Sequence, residues 1–397
     1  MKFIQQAIDK VKPAFEKGGK LEKYYFLFES IETFLFVPKE TTLRKGVQIR
    51  DGVDLKRFMI TVVIALLPAL VFGTYNVGYQ YYQATGLEPA GSWDLWWIGI
   101  QRVVPIVIVS YVFGLFITEF AFSVIRQHPI NEGFLVTGIL IPMVLPPTIP
   151  LWQVAVATVF AVVIAKEAFG GTGMNVLNVA LVARAFLYFA YPGFMSGDQV
   201  WVYLGGHTPV DGFSGATPLG IVASTVESGQ NAVAALLEHG DHYSLGSMFY
   251  GLIPGSIGET SVLMILIGAV ILMATGVGSW RIIVSGFAGA YLMALLLQVT
   301  GVNPYMQMAP VYHLVMGGLA FGIVFMATDP VTASQTNTGK WIYGAMIGVL
   351  TIIIRVLNPA YPEGIMLAIL FMNVFAPLID YYVVGANKKR RLKRATV

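Results

Sequence analysis

Phe58-Met59-Ile60-Thr61-Val62-Val63-Ile64-Ala65-Leu66-Leu67-Pro68-Ala69-Leu70-Val71-Phe72-Gly73-Thr74-Tyr75 runs without one charged residue. A helix needs about 20 such residues to cross the hydrocarbon core of a bilayer. The run is the first of ten apolar spans. The others lie near Val103–Ile125, Gly133–Leu145, Leu151–Ala165, Val176–Tyr191, Ser261–Thr275, Ile282–Val299, His313–Ala327, Trp341–Leu357 and Gly364–Val384. Composition agrees with this count. Of 397 residues, 56% are hydrophobic and 12% are charged, and mean hydropathy is +0.69. A soluble domain carries about a quarter charged residues, so this chain could not cover a water-facing surface. The expected fold is an all-α integral membrane protein with ten transmembrane helices. Several spans are short and interrupted by Gly, Pro or Asn. Transporters place ligands at such interruptions, because free helix ends expose backbone dipoles there.

Basic residues set the orientation. Of the 25 Lys and Arg, twelve precede residue 58, six lie in the tail Lys388–Arg394, and Arg126, Lys166, Arg281 and Lys340 follow spans two, four, six and eight. One alternation of the spans puts all of these on the cytoplasmic side. Arg184 lies inside span five, and Arg102 and Arg355 lie near the other face. Residues 192–260 contain no Lys or Arg, which makes this segment external and both termini cytoplasmic. No cleavable leader precedes the first span, which is expected to act as a signal anchor.

The chain divides accordingly. Residues 1–57 form a cytoplasmic amphipathic arm, 58–191 a first five-helix half, 192–260 the external segment, 261–384 a second five-helix half, and 385–397 a basic tail. An odd number of helices per half requires the halves to be inverted. Glu132-Gly133 with Pro146, and Glu363-Gly364 with Pro377, repeat one spacing of 14 residues. That echo is either a trace of the duplication or chance in an apolar chain. Lys20 to Phe36 reads as an amphipathic helix with Tyr24, Tyr25, Phe28 and Phe36 as anchors. It either lies on the membrane surface or covers a pocket.

There are no cysteines and five scattered histidines. Thiolate-held iron–sulfur clusters, disulfides and thiol catalysis are excluded, and haem or zinc is disfavoured. No G-x-G-x-x-G dinucleotide fingerprint follows a strand, and no nucleic-acid partner is expected. The most distinctive polar stretch is Asp211-Gly212-Phe213-Ser214-Gly215-Ala216-Thr217. From pattern alone it is a glycine-punctuated turn with two hydroxyls. Asn175 and Asn178 follow Gly170-Gly171-Thr172-Gly173 and open span five, either as helix caps or as ligand-facing amides. Arg184 is costly at its depth and reads as a functional cation or as half of a buried pair. Glu119, Asp329 and Asp380 sit at span ends, and Glu29 on the arm. Glu119 and Asp380 could instead snorkel to the interface, and Asp329 could simply close a turn with Pro330.

The Asp-x-x-Ser-Gly-Ala-Thr stretch resembles the signature at which a flavin transferase joins FMN to a threonine. The rest of the chain is similar to the family of B subunits of bacterial Na+-translocating NADH:quinone reductases. That similarity runs through Lys17–Lys23, Asn131-Glu132-Gly133-Phe134, Pro146–Trp152, Lys166–Gly173, Ile253–Glu259, Met326–Val331 and Asn358–Gly364. D subunits of Rnf-type ferredoxin:NAD reductases share the threonine signature. The long charged arm and the Asn-Glu-Gly-Phe segment favour the quinone reductases.

The resemblance implies covalent FMN on Thr217 through its phosphate. Gly212, Gly215 and Ala216 would leave room, and Ser214 would hydrogen-bond the phosphate. It implies noncovalent riboflavin near Asn175 and Asn178, with Arg184 a further cofactor-binding candidate. It implies a Na+ path through Glu29, Glu119, Asp329 and Asp380, since a hard cation takes oxygen ligands. It implies quinone bound from the cytoplasmic side near the arm and spans two and three. Family members carry a glycine pair one turn before the span-two glutamate; here the pair is Leu115-Phe116, a departure that bears on pocket shape. The implied partners are the other reductase subunits, quinone, Na+, a flavin transferase and inner-membrane lipid. The function expected is that of a redox subunit coupling quinone reduction to Na+ export. The alternatives are an Rnf-type D subunit and a cofactor-free secondary transporter with the same topology.

Overall fold

The computed structural model describes residues 10–16, 18–19, 21–25, 28–29, 32, 55–126, 133–358 and 361–395. Among these, all regular structure is helical. Six helices are long and apolar enough to cross a membrane: α1 (Leu55–Thr85), α2 (Ser92–Arg126), α4 (Leu151–Phe169), α10 (Trp280–Thr300), α13 (Asn337–Leu357) and α14 (Ile365–Ala395). Three apolar helices are shorter: α3 (Gly133–Met143), α5 (Val179–Ala190) and α9 (Val262–Ala274). Three helices of the 192–260 segment are α6 (Pro218–Ser228), α7 (Ala232–Glu238) and α8 (Leu245–Tyr250).

The expected eighth span, His313–Ala327, is not continuous. It is broken into α11 (Pro310–Val315) and α12, which begins at Leu319–Phe321 and continues as a π-helix over Gly322–Met326. Gly317 occupies the break with φ +63°. The carbonyls freed there are satisfied by one side chain. Arg355 of α13, fully buried, donates to the His313 carbonyl at 2.7 Å, the Met316 carbonyl at 3.0 Å and the Glu363 carbonyl at 2.9 Å. Five N–H donors in a planar fork suit Arg to that task. The sequence places Arg355 near the outer membrane face, and the structure shows it buried as an internal staple.

The first span also differs from its expected limits. α1 continues ten residues beyond Tyr75, where its polar and aromatic residues meet the 192–260 segment. Asn76 donates to the Ile253 carbonyl at 2.9 Å, and Tyr81 stacks on Tyr203 at 6.3 Å. Burial against protein replaces burial in lipid, so hydropathy alone ends the span too early.

α10 and α13 share the most extensive helix–helix contact among the described residues. A Cβ on Gly344 would stand 2.2 Å from the Ser285 Oγ, and one on Gly348 would stand 2.1 Å from the Gly286 carbonyl oxygen. Small residues at such a seam let backbones meet where lipid supplies no hydrophobic drive for association.

α2, α4 and α12 each contain a π-helical stretch, at Val112–Glu119, Val162–Lys166 and Gly322–Met326. Such stretches are uncommon and cluster at functional sites. The arm helix expected over 20–36 lies largely outside the described residues. Within them, a 3-10 turn at Glu22–Tyr24, a Lys12–Glu32 ion pair at 2.9 Å and stacked Phe15 and Phe28 hold the arm. Glu132, half of the spacing echo, also lies outside them.

Candidate functional site

Two cavities of about 100 Å³ each lie at opposite ends of α5 and α9. One is walled by Arg184 and Tyr188 of α5, by Thr217, and by Glu259 just before α9. The other is walled by Asn178 at the start of α5, by Leu272 at the end of α9, and by Lys166, Asn175 and Asp329. The sequence candidates therefore sort into two groups. Thr217 and Arg184 share the first cavity. Asn175, Asn178 and Asp329 share the second.

Thr217 is the N-cap of α6 and its Oγ1 accepts a hydrogen bond from the Gly220 N–H at 3.1 Å. Threonine is a good N-cap because its oxygen satisfies a helix-start donor. Pro218 follows at the first helical position, where its missing N–H costs nothing. A phosphate esterified to that oxygen would sit at the positive end of α6. The approach is shaped by its neighbours. A Cβ on Gly215 would fall 2.4 Å from the Asp198 carbonyl oxygen, so only glycine fits. Tyr243 donates to the Ala216 carbonyl at 2.7 Å, and burial pushes its phenol up to about 12, which keeps it a donor. Ser214 helps to shape the turn. Its Oγ accepts from the Ala216 N–H at 3.3 Å and closes the turn that presents Thr217.

Arg184 is not a lone cation. Its Nη1 lies 2.8 Å from the Glu259 Oε1, and its Nη2 contacts Glu363 and lies 3.4 Å from the Ser256 Oγ. Sequence reasoning missed both carboxylates. They stand just before α9 and α14, in the Ile253–Glu259 and Asn358–Gly364 stretches, far apart along the chain. Burial, the largest cause, and then Glu363 push the Glu259 carboxyl up, while Arg184 opposes them. Two hydroxyls on the same cavity wall, Thr260 Oγ1 and Tyr361 Oη, are buried without a partner among the described residues.

In the second cavity Asn178 caps α5, its Oδ1 accepting from the Leu181 N–H at 3.2 Å. Asn175 donates to the Leu177 carbonyl at 3.2 Å. Asn178 is thus a helix cap and Asn175 braces the turn before it, and both also line the cavity. Asp329 closes its own turn on the Val331 N–H at 3.1 Å and the Thr332 hydroxyl at 2.9 Å.

The remaining acids are separate. Glu119 pairs with Lys166 at 2.5 Å with both side chains buried. Each ends a π-helical stretch, Glu119 on α2 and Lys166 on α4. The charge pattern makes Lys166 a loop cation; the structure makes it an internal partner. Asp380 of α14 holds the turn that leads into α13, accepting from Ser334 Oγ at 2.7 Å, Gln335 N at 2.7 Å, Thr336 N at 3.0 Å and Thr336 Oγ1 at 2.6 Å, while Thr336 itself caps the helix on the Gly339 N–H. Glu29 lies on the arm, where its charge raises the Tyr25 hydroxyl. No group of three or more His, Cys, Asp or Glu able to hold a metal occurs among the described residues. Leu115 and Phe116 lie on the π stretch of α2, and Phe116 is exposed and packs edge-on against Phe120.

The chain is similar to proteins named as the B subunit of Na(+)-translocating NADH-quinone reductase. The protein from Ectopseudomonas mendocina is 48% identical over 98% of this chain and 99% of its own length. The one from Chromohalobacter salexigens is 48% identical over 98% and 96%, and the one from Azotobacter vinelandii is 46% identical over 98% and 99%. Residues 42–389 match the NQR2, RnfD, RnfE family as a whole, and the chain belongs to that family.

Proposed function

We propose that this chain is the flavin-bearing membrane subunit of a redox-driven Na+ pump that reduces quinone. One observation carries the reading: the Thr217 hydroxyl caps a helix on the wall of a cavity, with Gly215 clearing its approach. FMN joined to Thr217 through its phosphate would be held by the N-terminus of α6 beside Arg184. A second flavin, riboflavin, would use the amides of Asn175 and Asn178 in the other cavity. Bound flavins supply the electron-carrying chemistry. The protein's own part is to anchor, orient and balance charge.

In this reading ten spans cross the inner membrane as two inverted halves, with α11 and α12 together making the eighth. The Thr217 cavity faces outward and the Asp329 cavity inward, with both termini cytoplasmic. α5 runs between them, and Asn178 and Tyr188 are about 15 Å apart at 1.5 Å per residue. Asp329 is the Na+ candidate that shares a cavity with the riboflavin candidates. Glu119 offers a carboxylate that an ammonium now holds, and Asp380 and Glu29 complete the inner-side acids. Quinone, the other reductase subunits, a flavin transferase and lipid are the partners.

The test is fluorescence of the denatured chain in a gel, from a host that expresses the transferase. Wild type is expected to give a flavin band and Thr217→Ala none. A band of equal strength in Thr217→Ala would remove Thr217 as the anchor, and no band in wild type would favour a cofactor-free transporter.

A further inference from the structure

The Thr217 cavity contains more charge than an anchor needs. Arg184 faces two carboxylates, Glu259 at 2.8 Å and Glu363 in direct contact. Glu259 is 5% exposed and Arg184 is 3% exposed. Two anions on one cation leave the cluster with a net negative charge. Like charges held this close in a largely buried site resist being ionised together, so one of the acids binds a proton readily. The Thr260 and Tyr361 hydroxyls, buried and unpartnered among the described residues, border the same space. A hydroxyl can donate to a carboxylate or accept from a carboxylic acid, so these two suit a neighbour that changes between the forms. Burial raises the affinity of Glu259 for a proton in the same direction.

We propose that Glu259 is the proton acceptor that balances charge when the group carried on Thr217 is reduced. The proposal rests on the reading of Thr217 as a flavin anchor. The balance is simple. The attached flavin gains one electron from the reductase's own electron supply. The Glu259 carboxylate gains one proton from the aqueous phase that its cavity opens to, forming one O–H bond and breaking none in the protein. Arg184 then keeps one anionic partner, Glu363, instead of two. The charged and titratable groups facing Glu259 are Arg184 and Tyr188 from α5, Glu363 and Tyr361 from the turn before α14, Arg355 from α13, and Asp198 across the cavity. The other acids of this group differ in position: Glu363 is more exposed at 18%, and Asp198 lies on the open side. Glu259 is thus a charge-compensating residue, and its role needs no contact with the reacting ring.

The experiment is redox-difference infrared spectroscopy on the assembled complex, with gel fluorescence run on each sample. Wild type is expected to gain a carboxylic-acid carbonyl band on reduction. Glu259→Gln, which keeps the side chain's shape and an acceptor for Arg184, is expected to lose that band while keeping its fluorescent flavin. Thr217→Ala is expected to lose both. The midpoint potential of the attached flavin should fall with rising pH in wild type and fall less steeply in Glu259→Gln. An unchanged carbonyl band and an unchanged pH slope in a Glu259→Gln complex that retains its flavin would overturn the proposal. If Glu259→Gln does not assemble, Tyr361→Phe serves instead. It removes one hydroxyl beside the acid and should shift the frequency of the wild-type band; an unshifted band overturns the proposal. Absence of fluorescence in wild type would instead remove the Thr217 reading, a separate failure.

Discussion

Arg184 decides how the residue-scale chemistry is to be tested. Its sequence position shows only that a deep cation is costly; its two partners come from turns 75 and 179 residues away. Removing one side of a buried ion pair leaves uncompensated charge and typically costs about 3–5 kcal/mol. Arg184→Ala is therefore expected to lower the melting temperature of the detergent-solubilised complex far more than Glu259→Gln does. Arg184→Lys should restore only part of the loss, since a point charge cannot serve two carboxylates as a planar fork can. Equal melting of Arg184→Ala and wild type would mean that the cluster stores no such energy. Gly215 gives a second prediction at the same scale. Gly215→Ala puts a methyl 2.4 Å from a backbone oxygen, so the turn that presents Thr217 must shift. The expected outcome is a weak or absent flavin band with melting near that of wild type. A full-strength band would show that the turn has slack. Thr217 stands out in the motif as a candidate; what the sequence does not show is that Ser214 Oγ accepts from the Ala216 N–H and closes the turn that presents it.

At the scale of elements, long uniform spans were easy to read and interrupted ones were not. α10 and α13 fall close to their expected limits because lipid on most sides leaves a continuous apolar signature. The eighth span misled because hydropathy registers apolar side chains and not whether carbonyls are paired. Arg355 satisfies the broken backbone, so the break costs little and leaves no polar mark in Met316-Gly317-Gly318. Asp380 shows the same limit. The resemblance implies an ion ligand there, and the sequence carries no sign of the four hydrogen bonds that tie Asp380 to the turn leading into a neighbouring helix. The two roles separate experimentally. Asp380→Ala removes the shared acceptor of the Ser334–Thr336 turn and is expected to cost about 0.5–1.5 kcal/mol per hydrogen bond lost, read as a lower melting temperature. Asp380→Asn keeps acceptor oxygen and should melt much closer to wild type. If Asp380 also handles Na+, Asp380→Asn should raise the Na+ concentration for half-maximal quinone reduction despite its stability. An unchanged Na+ response in a stable Asp380→Asn leaves Asp380 the anchor of that turn alone. The α10–α13 seam makes a simpler demand. Gly348→Val places two methyls where a carbonyl stands 2.1 Å from the first carbon, and overpacking of this kind costs about 1–3 kcal/mol or more. The melting temperature should drop accordingly, and an unchanged value would show that the two helices can part without cost.

At the scale of the whole molecule, two independent features give the same alternation. The basic residues put the starts of spans one, three and five on one side. The Asp329 cavity is lined by residues from the starts of α1, α3 and α5 and from the ends of α4 and α9. The Thr217 cavity is lined by the end of α5 and the turns before α9 and α14. This agreement survives the loss of Lys166 from the count of loop cations. The weak link is length. α9 has 13 residues, about 20 Å at 1.5 Å per residue, against a hydrocarbon core of about 30 Å. If α9 crosses, its two ends lie on opposite sides; if it does not, the second half loses a span and the inversion fails. A chain without cysteine lets this be measured with single introduced thiols. Ser228, Thr275, Gln307, Gln335 and Lys389 are all exposed and lie in successive connections or in the tail. With a membrane-impermeant maleimide, Ser228→Cys and Gln307→Cys should label only in spheroplasts. Thr275→Cys, Gln335→Cys and Lys389→Cys should label only in inverted vesicles. The informative comparison is Ser228 with Thr275, because the long helices alone already place Ser228 and Lys389 on opposite sides. Labelling of Ser228→Cys and Thr275→Cys from the same side would show that α9 re-enters, and the two halves could not then be inverted copies. Labelling of Gln307→Cys and Gln335→Cys from the same side would say the same of the broken α11–α12 pair, whose crossing depends on the Arg355 staple and not on apolar length.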